Sequence, residues 1–285
     1  MTASSQPSAR APIDPATVRA ALPDPQRWTI RHVASTGSTN SDLARAATGP
    51  TGAPDRTVLI TEEQLAGRGR LGRSWQAPAG SALMMSVLLR PDRVPVARRG
   101  WVGALLGLAH LRAMDAYGVA ANLKWPNDIL VDGRKCAGIL AELAGPAVVV
   151  GCGLNVSLTE SELPRADATS LSLEGVRVDR SELAGAVLRE LDPLLRQWES
   201  AAGDVAASGL LEQYRQRCST IGQRVVLHLP DGRKLVGTAL DVTEDGSLTV
   251  RSDAAAGAVP TVASYAAADV QHLRPAPSRA ERQPQ

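Results

Sequence analysis

Phenylalanine is absent from this sequence, and Trp and Tyr together supply only 3% of it. A nucleic-acid surface that stacks bases needs interleaved aromatic rings, so that binding mode finds little material here. Cysteine is scarce too. Cys136, Cys152 and Cys218 stand far apart with no Cys-x-x-Cys pair, which excludes a disulfide framework or a zinc knuckle and fits a reducing compartment. The four histidines, His32, His110, His228 and His272, are scattered without metal-ligand spacing. No apolar run approaches the roughly 18 residues needed to cross a bilayer. The opening stretch MTASSQPSARAPIDP lacks the apolar core of a secretory signal. Charge of one sign is missing as well: a net +2 argues against DNA or a membrane held by bulk electrostatics. The expectation is a cytoplasmic protein that binds neither DNA nor membrane.

What is present is an ordinary globular composition, 44% hydrophobic and 21% charged, over 285 residues. That length suits one large domain, or a medium domain plus a small one. The most unusual stretch is Thr61–Gln76, TEEQLAGRGRLGRSWQ. Arg68, Arg70 and Arg73 alternate with Gly67, Gly69 and Gly72, and no acid falls between Leu65 and Gln76. Glycine lets a backbone turn tightly beside a ligand, and arginine presents a planar charged fork to phosphate or carboxylate. The stretch is neither a Walker loop nor a Gly-x-Gly-x-x-Gly turn. Alone, it reads equally as an anion lid or as a solvated basic loop.

In chain order, residues 1–25 are rich in Pro, Ser and Ala and read as a poorly ordered arm. Trp28–Val33 alternates like a strand, and Ser38 or Thr39 supplies capping chemistry for a helix over Ser41–Ala47. Thr57–Thr61 and Ala82–Leu89 are strand-like, joined by the arginine stretch as an unusually long connection. Arg98–Tyr117 carries Trp101, Leu105, Leu108 and Leu111 at helical spacing and predicts a core helix. Short strands follow at Leu123–Trp125, Ile129–Val131, Ala137–Leu143 and Val148–Val150. Asp179 with Glu182 resembles a capping box for a helix to Trp198, bent or interrupted at Pro193. A further helix spans Leu210–Cys218. After Gly222, strands at Arg224–Leu229, Lys234–Val242, Ser247–Arg251 and Val259–Ser264 predict a small antiparallel barrel.

Two more patches carry chemistry. Leu123–Glu142 places Lys124 and Lys135 around Asn127 and Asp128, which an Asx turn would also explain. Gly151-Cys152-Gly153-Leu154-Asn155 sets a side-chain amide beside glycines after a buried strand. In this order the patches resemble the biotin protein ligase family. The matching segments are Ser38-Thr39-Asn40, Gln64 with Gly67-Arg68-Gly69-Arg70-x-Gly72-Arg73-x-Trp75, Lys124-Trp125-Pro126-Asn127-Asp128, Lys135-x-Ala137-Gly138-Ile139-Leu140, and Gly151-x-Gly153-x-Asn155. The resemblance covers about Trp28–Leu273.

It implies an α/β (α+β) fold: a mixed-sheet catalytic domain like class II aminoacyl-tRNA synthetase cores at 26–219, then a small SH3-like β-barrel at 220–275. Residues 1–25 and 276–285 would be disordered ends. It also implies a ligase that uses ATP to make biotinyl-5′-AMP and transfers biotin to a lysine of a biotin carboxyl carrier protein domain. Family members that double as repressors carry an N-terminal helix-turn-helix, for which residues 1–25 are too short, so the likeness is to the monofunctional class. By the same resemblance, Ser38, Thr39, Asn40, Gln64, Arg68, Gly69, Arg70 and Lys135 would bind biotin. Arg70, Arg73, Trp75, Asn127, Asp128, Lys135 and Asn155 would meet ATP or the adenylate, with Arg73 suited to the outer phosphates. Lys135, Arg70 and Asp128 would be catalytic. No resident metal is implied; Mg²⁺ would arrive on ATP. Asn127 and Asp128 are open between nucleotide, Mg²⁺ and the incoming lysine. Two rivals stand beside this reading: a lipoate–protein ligase with the same two-step chemistry, and a small nucleic-acid-binding module.

Overall fold

The computed structural model describes residues 10–49, 52–253, 260–266 and 268–273. Its larger part is a seven-stranded sheet made of β1 (Thr29–Thr36), β2 (Thr57–Gln64), β3 (Ala82–Leu89), β4 (Ala121–Lys124), β5 (Asp128–Val131), β6 (Arg134–Ala144) and β7 (Ala147–Asn155). The spatial order is β1-β2-β3-β7-β6-β5-β4. Only β1 and β2 run parallel, so the sheet is mixed. All eight residues of β3 are buried, as expected of a central strand covered on both faces.

One face is covered by α2 (Thr39–Thr48), whose Leu43 and Ala47 pack with Leu59, Leu88 and Val149. The other is covered by α3 (Val102–Asp115) and α4 (Arg180–Ser200), which form the main core. The α2 helix is short, and it leaves part of its face of the sheet free for a cavity. Asp179 caps α4 by accepting from the Ser181 and Glu182 amides; the described hydrogen bonds contain no return bond from Glu182.

The helix does not break at Pro193 but continues through it to Ser200. An interior proline costs about 3 kcal/mol. Leu183, Leu188, Leu191, Leu194, Leu195 and Trp198 are all fully buried along the same helix. At about 1.5–3 kcal/mol each, their burial outweighs that cost.

Residues 10–25, expected to belong to a loose arm, are instead part of the fold. A short helix, α1 (Pro15–Ala20), is capped by Asp14 with proline at its first turn, a favoured N-terminal arrangement. Ile13, Val18 and Leu22 are buried in the main core. The Glu62 carboxylate accepts from the Ile13 amide at 2.7 Å and from Arg180 at 2.6 Å. Burial works to raise its pKa, yet these donors and His32 together hold it below the usual range. Three well-spaced apolar residues decide the outcome where composition alone suggests disorder. Residues 1–9 and the expected tail 276–285 lie outside the described residues.

After α5 (Leu210–Arg217) comes a five-stranded antiparallel sheet, β8 (Arg224–His228), β9 (Lys234–Val242), β10 (Leu248–Ser252), β11 (Val262–Tyr265) and β12 (Asp269–His272), in the order β11-β10-β9-β8-β12. The last strand, missed in the sequence, returns to pair with the first. Indole N–H groups of Trp101 and Trp125 donate to the carbonyls of Glu244 and Gly246, and Arg215 forks onto Asp241, fastening this sheet to the larger part. Among the described residues no helix is long and apolar enough to cross a membrane.

If residues 10–22 are structural, Val18→Ala will lower the free energy of urea unfolding by about 2 kcal/mol, two carbons of transfer plus a small cavity. Unchanged stability would return this segment to the status of a loose arm.

Candidate active site

Side chains alternate across a strand, so Gly151, Gly153 and Asn155 of β7 share the α2 face while Val150, Cys152 and Leu154 enter the core. Cross-strand partners also share a face. One row therefore runs Met84, Gly153, Gly138, Asp128, Lys124 across β3, β7, β6, β5 and β4. The neighbouring row is Ser86, Gly151, Leu140. All of these but Met84 line a cavity of about 700 Å³, within the usual size of a ligand site.

At one end of the cavity lies a chain of polar groups. Ser38 caps α2. Gln64 Oε1 accepts from the Thr39 amide at 2.8 Å, and the Thr39 hydroxyl lies 2.6 Å from that of Ser86. Ser86 donates to Asn40 Oδ1 at 2.7 Å, and Asn40 Nδ2 donates to Glu142 at 2.9 Å. Gly151 is bare for a reason: a Cβ there would stand 2.2 Å from Asn40 Oδ1 and 2.6 Å from Ser86 Oγ. Neither Ser86 nor Glu142 is named from the sequence. The available signal for Ser86 is a lone hydroxyl inside the apolar run Ala82–Leu89.

The arginine stretch is a small hairpin rather than a free loop. Arg68 bridges to Ser74, the Trp75 amide donates to the Gly67 carbonyl at 2.8 Å, and a 3₁₀ turn at Arg70–Gly72 forms the tip. Leu71 lies there at φ 55°, a conformation uncommon for a side-chain-bearing residue. The hairpin is seated by Trp75, whose ring lies against the sheet at Gly138 and Gly153. A Cβ on Gly153 would come within 2.4 Å of that ring. Lys135 Nζ stands 5.9 Å from the ring centroid, inside cation–π range.

The cations divide into two groups. Arg68 is paired with Glu142 at 3.0 Å, Lys135 with Asp128 at 2.6 Å, Arg165 with Asp167, and Arg73 with Asp269 on β12. Arg70 and Lys124 have no carboxylate partner among the described residues. Arg70 Nη1 is buried without a hydrogen bond, as is the Trp75 indole nitrogen. Burial lowers the pKa of Arg70, with Arg73 adding to the effect and Asp128 opposing it. Buried donors without partners are uncommon in folded proteins, and here both belong to cavity-lining residues.

Two sequence candidates are committed to local structure. Asn127 Nδ2 donates to the Ile139 carbonyl at 2.8 Å, and the Ile139 amide donates to the Asn127 carbonyl, clasping the turn to β6. Asn155 Nδ2 donates to the Thr169 carbonyl. Both residues still border the cavity, as do Ser38, Gly69, Arg73 and the other candidates from the sequence. No three His, Cys, Asp or Glu side chains form a metal cage among the described residues.

Comparison with known proteins agrees with this architecture. Residues 34–155 match the Biotin/lipoate A/B protein ligase family, and residues 220–273 match the Biotin protein ligase C terminal domain. A biotin–[acetyl-CoA-carboxylase] ligase of Mycobacterium tuberculosis is 45% identical over 248 residues, 85% of this chain and 88% of that protein. One from Paracoccus denitrificans is 29% identical, over 80% and 96%. The solved biotin protein ligase of Aquifex aeolicus in complex with biotin and ATP shares the fold, with a TM-score of 0.69 at 23% identity, covering 87% of this chain and 99% of that one. The fold and cavity thus define a member of the broad biotin and lipoate ligase group. Within it, the chain belongs to the biotin protein ligase family.

Ser86 joins Thr39 to Asn40 in the floor of the cavity. Ser86→Ala would leave the Asn40 carbonyl oxygen without its donor, a loss of about 1–3 kcal/mol measurable by urea unfolding. Stability equal to that of the parent would show that the chain of polar groups is not coupled.

Proposed function

We propose that this chain joins biotin to ATP and then to protein. A biotin carboxylate oxygen attacks the α-phosphorus, the bond from that phosphorus to the bridging oxygen breaks, and pyrophosphate leaves with the electron pair. The ε-amine of a carrier lysine then attacks the carbonyl of biotinyl-5′-AMP, loses its proton, and releases AMP. The observation that carries this reading is one cavity with neutral hydrogen-bonding groups at one end and half-buried cations beyond them.

The ureido ring of biotin needs paired donors and acceptors. Ser38, Thr39, Asn40 and Gln64 supply both, with Asn40 seated closely on the bare Gly151. Two anions must then approach each other, so cations are required between them. Arg68, Arg70 and Lys135 are suited to the carboxylate and the α-phosphate. Arg68 and Lys135 already hold carboxylates, which a phosphate of higher charge can replace. Arg73 must leave Asp269 before it can reach the outer phosphates. Trp75 walls the adenylate against water, and the hairpin above it acts as the lid. Asn155 borders the nucleotide end, and the clasp made by Asn127 holds Asp128 in place.

Mg²⁺ commonly binds through one or two carboxylates plus substrate phosphates. The residues fit that mode: Asp128 faces the cavity and would be free for the ion once Lys135 turns to a phosphate, and no protein cage stands beside it among the described residues; the ion would neutralise phosphate charge. The acceptor is a biotin carboxyl carrier domain, met in the cytoplasm. We take the catalytic unit, expected at 26–219, to begin already at residue 10, because Ile13, Val18 and Leu22 belong to its core, and 220–275 as the C-terminal unit. Lipoate in place of biotin is less favoured, because the C-terminal match is to biotin protein ligases.

Biotin-dependent exchange between ATP and pyrophosphate tests this reading. Arg70→Ala and Lys135→Ala are each expected to lower the exchange rate by about 10²–10³, the scale for a lost transition-state donor. Full exchange in both variants would refute these roles.

A further inference from the structure

We infer that Lys124, at the end of β4, is a cation that receives the leaving pyrophosphate, on the side of the cavity opposite the biotin-facing groups. The inference rests on the adenylation chemistry proposed above and adds a residue to it. Three observations support it.

The first is pairing. Among the described residues six Lys and Arg side chains border the cavity, and four of them already hold a carboxylate: Glu142, Asp128, Asp167 or Asp269. Arg70 and Lys124 hold none among the described residues. Before nucleotide binds, the two acids that face Lys124 are held elsewhere, Asp128 by Lys135 at 2.6 Å and Asp167 by Arg165 at 2.7 Å. An ammonium half out of water without a counter-ion is costly, and an anionic ligand relieves that cost.

The second is position. In the row Gly153, Gly138, Asp128, Lys124 each residue faces the next across adjacent strands. The biotin-facing groups lie toward β3 and β7, and Lys135 stands over Gly138 on β6, 3.4 Å from where its Cβ would be. Strands are spaced about 4.8 Å apart, so β4 lies about 10 Å beyond β6 on the side away from biotin. Displacement at phosphorus places the attacking and leaving oxygens roughly in line. A carboxylate arriving from the β7 side therefore drives pyrophosphate toward β4. The bond to the bridging oxygen breaks there, and its electron pair develops as negative charge beside Lys124.

The third is environment. Burial lowers the Lys124 pKa; Asp128 and Asp167 oppose this, while Lys135 and Arg165 add to it. On the barrel side, His272 is driven to about 4 by burial, with Lys124 contributing. Its ring lies 3.0 Å from the Thr220 hydroxyl, which accepts from the Trp125 amide. The C-terminal sheet thus holds the backbone next to Lys124, and a neutral imidazole leaves the lysine without an added repelling charge.

The test is biotin-dependent ATP–pyrophosphate exchange with the full chain, comparing the parent, Lys124→Ala and Lys124→Arg. Loss of a charge-assisted bond is expected to raise KM for both ATP and pyrophosphate by about tenfold to a hundredfold. KM for biotin is expected to change less than twofold, and Lys124→Arg to recover most of the loss. Unchanged KM for ATP and pyrophosphate would overturn the inference. So would an equal rise in KM for biotin without rescue by arginine, which is the pattern of a structural role. An inactive parent would remove the adenylation reading itself.

Discussion

A bare strip of sheet governs this molecule. Gly138 and Gly153 face one another across β6 and β7, and the Trp75 indole lies against both. A side chain on Gly153 would lift the ring, and with it the hairpin that carries Arg68, Arg70 and Arg73. The same ring stands within cation–π range of Lys135, a contact worth about 0.5–2 kcal/mol depending on solvent exposure. One aromatic seat therefore positions the arginine hairpin, the cavity wall and a lysine together.

Charge sets the second constraint. Six cations around one cavity would repel one another if all stood unpaired, and burial would weaken each of them. Carboxylates relieve most of that repulsion. The pair between Arg68 and Glu142 is partly exposed, and exposed pairs contribute about 0–1 kcal/mol. Phosphate oxygens can displace carboxylates held so weakly at little cost. The site is organised for anions without being locked by its own acids. The tie from Arg73 to Asp269 extends this logic to the C-terminal sheet, which holds one edge of the hairpin through an ion pair.

Much of this was legible in the sequence. Ala82–Leu89 shows its burial on both faces as an unbroken apolar run, and it is a strand with those bounds. The Gly-Arg alternation and the Lys-Trp-Pro-Asn-Asp segment point to one site, and both border one cavity. Other features are not local and could not be read. The order of residues in the row from Gly153 to Lys124 is a matter of strand register, and no single segment contains it. Ser86 and Glu142 gain meaning only when β3 and β6 bring them to Asn40. Residues 10–25 look loose by composition, while three apolar side chains and a capped helix bind them to the core. Four-residue β12 has one buried residue and too weak a pattern to stand out.

The central claim is that this cavity joins a biotin carboxylate to the α-phosphate of ATP. Mass spectrometry of the protein after incubation with ATP and equal amounts of biotin and lipoate, with no carrier protein present, tests it directly. The account predicts that biotinyl-5′-AMP remains bound and that lipoyl-AMP does not form. Lipoyl-AMP alone, or no adenylate at all, would contradict it.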